Sequence, residues 1–126
     1  MIFKRNNPLN IRHNPKNKWL GQIGSDNGFC VFKDRHHGFR AAFILLHTYY
    51  TIYGFRTIDA IIERWAPPEE NPTANYINYV LGMCPNLKMD GSRFMYVQLL
   101  SAMACFETGK YISPHYVSTS LSQFDL

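Results

Sequence analysis

The sequence lacks several features that would assign it to a common class. Its three cysteines, Cys30, Cys84 and Cys105, are odd in number and show no close ligand pairing, so neither a disulfide scaffold nor a structural zinc site is expected. No apolar run approaches the roughly 20 residues that span a bilayer. The first residues lack the apolar core of a signal peptide, so we expect synthesis in the cytoplasm without a membrane span.

The composition is that of a folded globular protein. Of 126 residues, 46% are hydrophobic and 15% aromatic, which is enough to bury a core, and we expect a single domain over residues 1–126. The formal charge of +4 favours an anionic partner such as nucleic acid, a membrane surface or an acidic cell-wall polymer. No nucleic-acid-binding signature is present, so nucleic acid is not the expected partner.

Helical spacing of apolar residues dominates the chain, with a little β structure near its start. The Asn27-Gly28 turn predicts a hairpin between Leu20–Ile23 and Phe29–Phe32. The fold class is therefore α+β, mainly helical and of lysozyme-like size. Five helices are predicted: residues 37–53, a helix capped by Thr57 that ends at the Pro67-Pro68 corner, residues 73–83, a helix capped by Ser92 or Asp90 that ends near Glu107, and residues 115–121 after the N-cap Ser113.

The Pro67-Pro68 pair predicts a rigid corner, because proline removes backbone donors and disfavours helical geometry before it. The corner presents Trp65, Glu69, Glu70 and Asn71, a set suited to lining a cleft. Thr73 is expected to be the N-cap of the next helix. The alternative interpretation is a simple helix–helix corner with Trp65 in the core and the acids in solvent.

Glu107 is the foremost candidate for a catalytic acid. It follows an almost wholly apolar helical segment and precedes a turn at Gly109. Partial burial and the nearby helix C-terminus both disfavour the carboxylate anion, and a raised pKa suits general-acid catalysis at neutral pH. The alternative is a surface glutamate in the last helical turn.

Glu70 is the expected second carboxylate, since a pair of acids is the usual equipment of a glycosidase. The neighbouring amide of Asn71 could orient it, although either residue could instead cap the following helix. Aromatic rings, with Trp65 and Tyr111 foremost, are candidates for stacking on sugars. The Asp34-Arg35-His36-His37 cluster lacks a matching ligand elsewhere, so it is read as a charged helix start and no metal is expected.

Together these motifs resemble a family of small phage and prophage proteins known as virion structural proteins, with relatives among bacterial secreted effectors. The chain departs from the family pattern at Leu9, Phe106 and Thr108, and the family name by itself carries no chemistry. The resemblance extends from about Asn6 to Tyr116 and rests on Asn6-Asn7-Pro8-Leu9-Asn10-Ile11-Arg12, Trp19-Leu20-Gly21, Phe29, Phe32, Gly38-Phe39-Arg40-Ala41, Arg64-Trp65-Ala66-Pro67-Pro68, Glu70-Asn71, Tyr76 and Glu107-Thr108-Gly109.

The resemblance and the fold prediction together imply a lysozyme-like domain with a permuted order of elements. The implied activity is cleavage of peptidoglycan between N-acetylmuramic acid and N-acetylglucosamine, with no cofactor. Glu107 would protonate the leaving oxygen, and Glu70 with Asn71 would position water or stabilise positive charge. Asn10 and Arg12 would bind substrate from the opposite wall. With one catalytic carboxylate alone, a lytic transglycosylase would be the expected enzyme.

The alternative function is a non-enzymatic component of a virion or secretion apparatus that binds a partner through the loop from Asn10 to Trp19 and the Pro67-Pro68 corner. A third possibility is cell-wall binding without cleavage. The partners implied are peptidoglycan and, depending on delivery, a phage particle, a secretion machine or an immunity protein. Without a signal peptide, the protein would act in a virion or reach the periplasm by injection, lysis or dedicated secretion.

Overall fold

The computed structural model describes residues 4–69 and 71–126, which form five α-helices and one two-stranded antiparallel sheet. The predicted α+β, mainly helical class is confirmed. Within these residues, none of the helices combines the length and apolarity needed to cross a bilayer. After a short 3-10 turn at Lys4–Asn6, the elements are β1 (Gln22–Asp26), β2 (Phe29–Phe32), α1 (Arg35–Thr51), α2 (Ile58–Trp65), α3 (Thr73–Met83), α4 (Arg93–Thr108) and α5 (Pro114–Ser122).

The hairpin forms at the predicted turn, but its first strand lies further along the chain than expected. Asn27 and Gly28 have φ of 50° and 84°, the two positive values that a tight hairpin turn of this kind requires. Asp26 therefore pairs directly with Phe29, and β1 begins at Gln22 rather than at Leu20. The sheet is extended on the other side of β2 by a bridge between Arg12 and Phe29, which ties the N-terminal segment to the hairpin.

Side-chain capping fixes where most helices start. Thr57, Ser92 and Ser113 accept hydrogen bonds from backbone N–H groups in the first turns of α2, α4 and α5, as predicted. Thr73 was expected to do the same for α3, and that prediction is wrong. Its hydroxyl donates instead to the carbonyl of Ala66, so Thr73 fastens the start of α3 to the end of α2 across the proline corner.

Helix α4 lies at the centre of the core and packs against α1, α3 and α5. Its residues from Met95 to Cys105 are buried apart from Gln98, and this explains why its apolar residues show no clear one-sided pattern. The three cysteines are free and buried. A helix packed on several sides has little freedom to shift, so its C-terminal end is a rigid platform for a functional side chain.

Candidate functional site

A cleft of about 1260 Å³ opens where several parts of the chain meet. The N-terminal segment contributes residues from Lys4 to Trp19, and β2 contributes Phe29. Helices α1 and α2 supply the facing residues, among them Tyr49 and Trp65, and the end of α4 supplies Glu107. The volume is large enough for several sugar-sized groups rather than for one small molecule.

Glu107 occupies the last turn of α4 and faces this cleft. The helix ends one residue later because Gly109 adopts a left-handed conformation with φ of 70°, and its N–H bonds to the carbonyl of Cys105. The local signals that predicted a helix end at this place are thus confirmed. The carboxyl group is carried by the rigid core helix rather than by the loop that follows it.

Three side chains hold the carboxyl group of Glu107. The amide Nδ2 of Asn10 donates to Oε1 over 2.8 Å, and the hydroxyl of Tyr76 donates to Oε2 over 2.9 Å. The indole N–H of Trp65 is a third donor. Both oxygens are engaged, so the carboxyl group has a defined orientation in the cleft.

Burial raises the pKa of Glu107 above its ordinary value, and the hydrogen bonds from Asn10, Tyr76 and Trp65 act in the opposite direction. Burial is the larger effect. The helix C-terminus adds to it, because the partial negative charge there also disfavours an anion. Glu107 therefore keeps its proton to a higher pH than a solvated glutamate, as a general acid requires.

Tyr76 is fixed by its own surroundings. It is 2% exposed, and its ring stacks on Phe106 with centroids 4.1 Å apart. Burial and the adjacent Glu107 carboxylate raise the pKa of Tyr76 well above its ordinary value, so the phenol stays protonated and remains a donor. Phe106, which departs from the family pattern described above, thus packs directly behind the residue that holds the acid.

Asn10 reaches Glu107 because Asn7 holds the loop around it. The buried Asn7 amide donates to the carbonyls of Ile11 and Cys30, both over 2.9 Å, and its oxygen accepts from the N–H of Ile11. These bonds join the loop to β2 while Asn10 takes a positive φ of 52°. Sequence reasoning did not assign Asn7 this role. Its place in the motif Asn7-Pro8-Leu9-Asn10 was the only available signal.

Some of the remaining predicted site residues line the cleft, and others do not. Arg12, Trp65 and Asn71 line the same cleft as Glu107, and the Asn71 amide donates to the carbonyl of Pro67 in the corner. Tyr111 is 74% exposed and is not among the described residues that line the cleft. Glu70, the expected second carboxylate, lies outside the described residues.

The Asp34 to His37 cluster forms a helix start. Asp34 is the N-cap of α1, and its carboxylate accepts from the backbone N–H of His37 and contacts Nδ1 of the same residue over 2.7 Å. His36 instead turns to the hydroxyl of Ser120, over 2.8 Å. Across residues 4–69 and 71–126, no three side chains among His, Cys, Asp and Glu are grouped as metal ligands.

The fold and the cleft define a small, mainly helical protein with a half-buried, hydrogen-bonded carboxyl group at the end of its central helix. No known protein-family model matches the chain. Protein P5 of Pseudoalteromonas phage PM2 is 41% identical to it over 114 residues, which cover 85% of this chain and 70% of that protein. The chain therefore belongs to the same family as this phage protein.

Proposed function

We propose that this protein is a phage-particle component that cleaves the glycan strands of bacterial peptidoglycan, with Glu107 as the general acid. The observation that carries the proposal is the setting of Glu107. Its carboxyl group faces a large cleft, has a pKa raised by burial, and is oriented by donors on both oxygens. A raised-pKa carboxylic acid in a cleft is the group that protonates a glycosidic oxygen at neutral pH.

In the proposed reaction, protonated Glu107 gives its proton to the oxygen between N-acetylmuramic acid and N-acetylglucosamine as the bond breaks. The resulting carboxylate is stabilised by the hydrogen bonds from Asn10, Tyr76 and Trp65. It then accepts a proton from the group that attacks the sugar. That group is water in a hydrolase and the muramic 6-hydroxyl in a lytic transglycosylase.

The other predicted residues have supporting roles in this proposal. Arg12 and Asn71, which line the cleft, contact the substrate. Glu70, with Asn71, positions water or stabilises positive charge. Trp65 both donates to Glu107 and is the cleft-lining ring expected to stack on a sugar. Asn10, predicted to bind substrate, also positions the acid, because one of the two N–H groups of its amide donates to Glu107.

The arrangement supports a lysozyme-like, permuted domain as the finer description of the fold. The acid ends a core helix, and the β hairpin with the N-terminal segment contributes to the same cleft. In lysozyme-like enzymes the acid likewise ends a helix beside a small sheet. In this chain three helices, α1, α2 and α3, lie between the hairpin and that helix, which is the reason for the term permuted.

A second candidate function is a non-enzymatic structural protein of the virion. The family relationship favours this candidate more than it favours an enzyme, because the relative is a phage protein and its name states no activity. Under this alternative, Glu107 with its three donors is a half-buried polar group with a structural role. The two candidates share a location in the phage particle and differ in whether the cleft does chemistry.

Digestion of purified peptidoglycan, with mass spectrometry of the soluble products, separates the candidates. The proposal predicts muropeptides that end in a reducing muramic acid, for hydrolysis, or in anhydro-muramic acid, for transglycosylation. A folded protein that releases no fragments, under conditions where a control lysozyme does, would leave the structural role as the function.

A further inference from the structure

The side chains that line the cleft are strongly unbalanced in charge. Among the described residues, Glu107 is the one carboxylate that lines it, whereas five cationic side chains do so. The chain as a whole has 13 Lys and Arg against 9 Asp and Glu, so the cleft is far more one-sided than the overall composition. The cationic lining residues are Lys4, Arg5, Arg12, Arg64 and Lys110.

Three of these cations are supported by aromatic rings. The guanidinium carbons of Arg5 and Arg12 lie 5.0 Å and 5.1 Å from the centroid of the Phe29 ring. That of Arg64 lies 5.6 Å from the centroid of the Tyr49 ring. Stacking on a ring restricts the orientation of a guanidinium group and still allows its edge N–H groups to bind carboxylates in pairs.

Arg5 is further fixed by an ion pair. Its Nε donates to Oδ2 of Asp26 over 2.8 Å, which ties it to the end of β1. This bond uses one of the five N–H donors of the guanidinium group. The arginine is therefore held in position by a ring and a carboxylate and retains donors for a ligand.

We propose that the cleft selects its glycan substrate by charge, with Arg5 and Arg12 on Phe29 and Arg64 on Tyr49 binding substrate carboxylates. In peptidoglycan these carboxylates belong to the peptides attached to muramic acid, whereas a chitin strand has the same acetamido sugars without them. The inference rests on the proposed function for the identity of the substrate. Its binding test does not require cleavage.

A nucleic acid would also be attracted to cations and rings, but the position of Glu107 disfavours it. The carboxyl group of Glu107 offers no positive charge to pair with a phosphate, and a nucleic acid carries a phosphate at every nucleotide. A glycan has neutral rings between its acidic groups, so a neutral sugar can lie at Glu107 while the arginines contact carboxylates. The cleft therefore fits a sparsely charged polyanion better than a densely charged one.

The test measures co-sedimentation of the Glu107→Gln protein, which leaves the polymer uncut, with insoluble peptidoglycan. Three further samples separate the sources of charge: peptidoglycan with carboxylates amidated by carbodiimide and ammonia, peptidoglycan stripped of phosphate polymers by hydrofluoric acid, and chitin. We expect amidation to weaken binding about tenfold or more, since charge-assisted hydrogen bonds are lost. Chitin should bind as weakly as the amidated wall, and removal of phosphate polymers should have no effect.

Variants locate the effect in the cleft. Arg64→Gln, a change on the exposed surface of α2, is expected to weaken binding to the native wall about tenfold and to leave chitin binding unchanged. Arg5→Gln should do the same if its melting temperature shows that it is folded. Lys88→Gln removes an exposed cation that does not line the cleft and should bind like its parent.

Equal binding to native and amidated peptidoglycan, or binding to a single-stranded DNA oligonucleotide as tight as to the wall, would overturn the inference. Loss of binding only after hydrofluoric acid treatment would also overturn it, because phosphate would then be the recognised group. Carboxylate-dependent binding by a protein that releases no fragments would refute the glycosidase and keep the inference. Fragment release that does not depend on carboxylates would support the glycosidase and refute the inference.

Discussion

The amide of Asn10 and the carboxyl group of Glu107, 97 positions apart in the sequence, are joined by a hydrogen bond of 2.8 Å. This bond connects the N-terminal loop to the end of the central helix at the floor of the cleft. It explains why an asparagine with positive φ is held there by the buried Asn7. The loop and the helix end act as one unit, and each can be tested separately.

Replacing Tyr76 by Phe should raise the pKa of Glu107 further, because a hydrogen bond to the carboxylate anion is lost while the ring stack on Phe106 is kept. A general acid works only while protonated. The pH at which activity falls on the alkaline side should therefore move upward, and a pH–rate profile with peptidoglycan measures it. Tyr111→Phe, at an exposed site, is the matched control. An alkaline limb that stays at the same pH, or moves to lower pH, would contradict the role assigned to Tyr76.

Replacing Asn7 by Ala should lower the free energy of unfolding by about 3 kcal/mol, since it leaves the N–H of Ile11 and the carbonyl of Cys30 without their buried partner. Denaturant unfolding measures the change. Asn78→Ala, at an exposed position of α3, should alter stability by no more than about 0.5 kcal/mol. If Asn7→Ala lowers the free energy of unfolding as little as Asn78→Ala does, the loop does not depend on the amide of Asn7.

Two glycines offer a matched pair for testing the end of α4. Gly109→Ala should destabilise by about 1 kcal/mol because its φ of 70° strains any side chain, although no neighbouring atom lies within 4 Å of the added methyl. Gly82→Ala has equal space but lies within α3, so it should stabilise by about 0.5–1 kcal/mol. Thermal unfolding of the two variants should shift in opposite directions. Shifts of the same sign would contradict the described helix ends.

Replacing Glu107 by Gln should raise the free energy of unfolding at neutral pH, because Gln removes a carboxyl group whose anion the folded protein disfavours. The folded protein raises the pKa of Glu107, so the free energy of unfolding falls as pH rises from the unfolded pKa, about 4.3, through the folded one. Below the unfolded pKa, Glu107 is protonated in both the folded and the unfolded state and is as neutral as Gln. The difference in stability between the two proteins should therefore disappear there. Melting temperatures at pH 3.5 and 7.5 test this, and an advantage that grows toward low pH would contradict a raised pKa.

Local signals predicted much of the fold and the key candidate residue. The positions of Thr57, Ser92 and Ser113 as caps follow from chemistry within three residues of each, and Gly109 marks the end of α4 in the same way. Glu107 was identified because an apolar helix ending at a glycine is visible in sequence. Such features need no knowledge of distant contacts.

The errors and omissions come from contacts between distant parts of the chain. Thr73 has the local pattern of a cap, but the carbonyl of Ala66 competes for its hydroxyl across the corner. Tyr76 has the spacing of a core residue, and nothing near it in the sequence indicates that its hydroxyl meets Glu107. The gathering of cationic residues around the cleft likewise depends on the tertiary arrangement of three separate segments: the N-terminal segment, α2 and the turn after α4.

The most direct test of the account is the rate at which wild-type, Glu107→Gln and Glu63→Gln proteins release soluble fragments from purified peptidoglycan. Glu63 is exposed on α2 and does not line the cleft, so its replacement controls for loss of one negative charge. Catalysis by Glu107 predicts release by wild type and Glu63→Gln at similar rates, and at least a 100-fold loss for a folded Glu107→Gln. Similar rates for all three proteins, or no release by any of them, would contradict it.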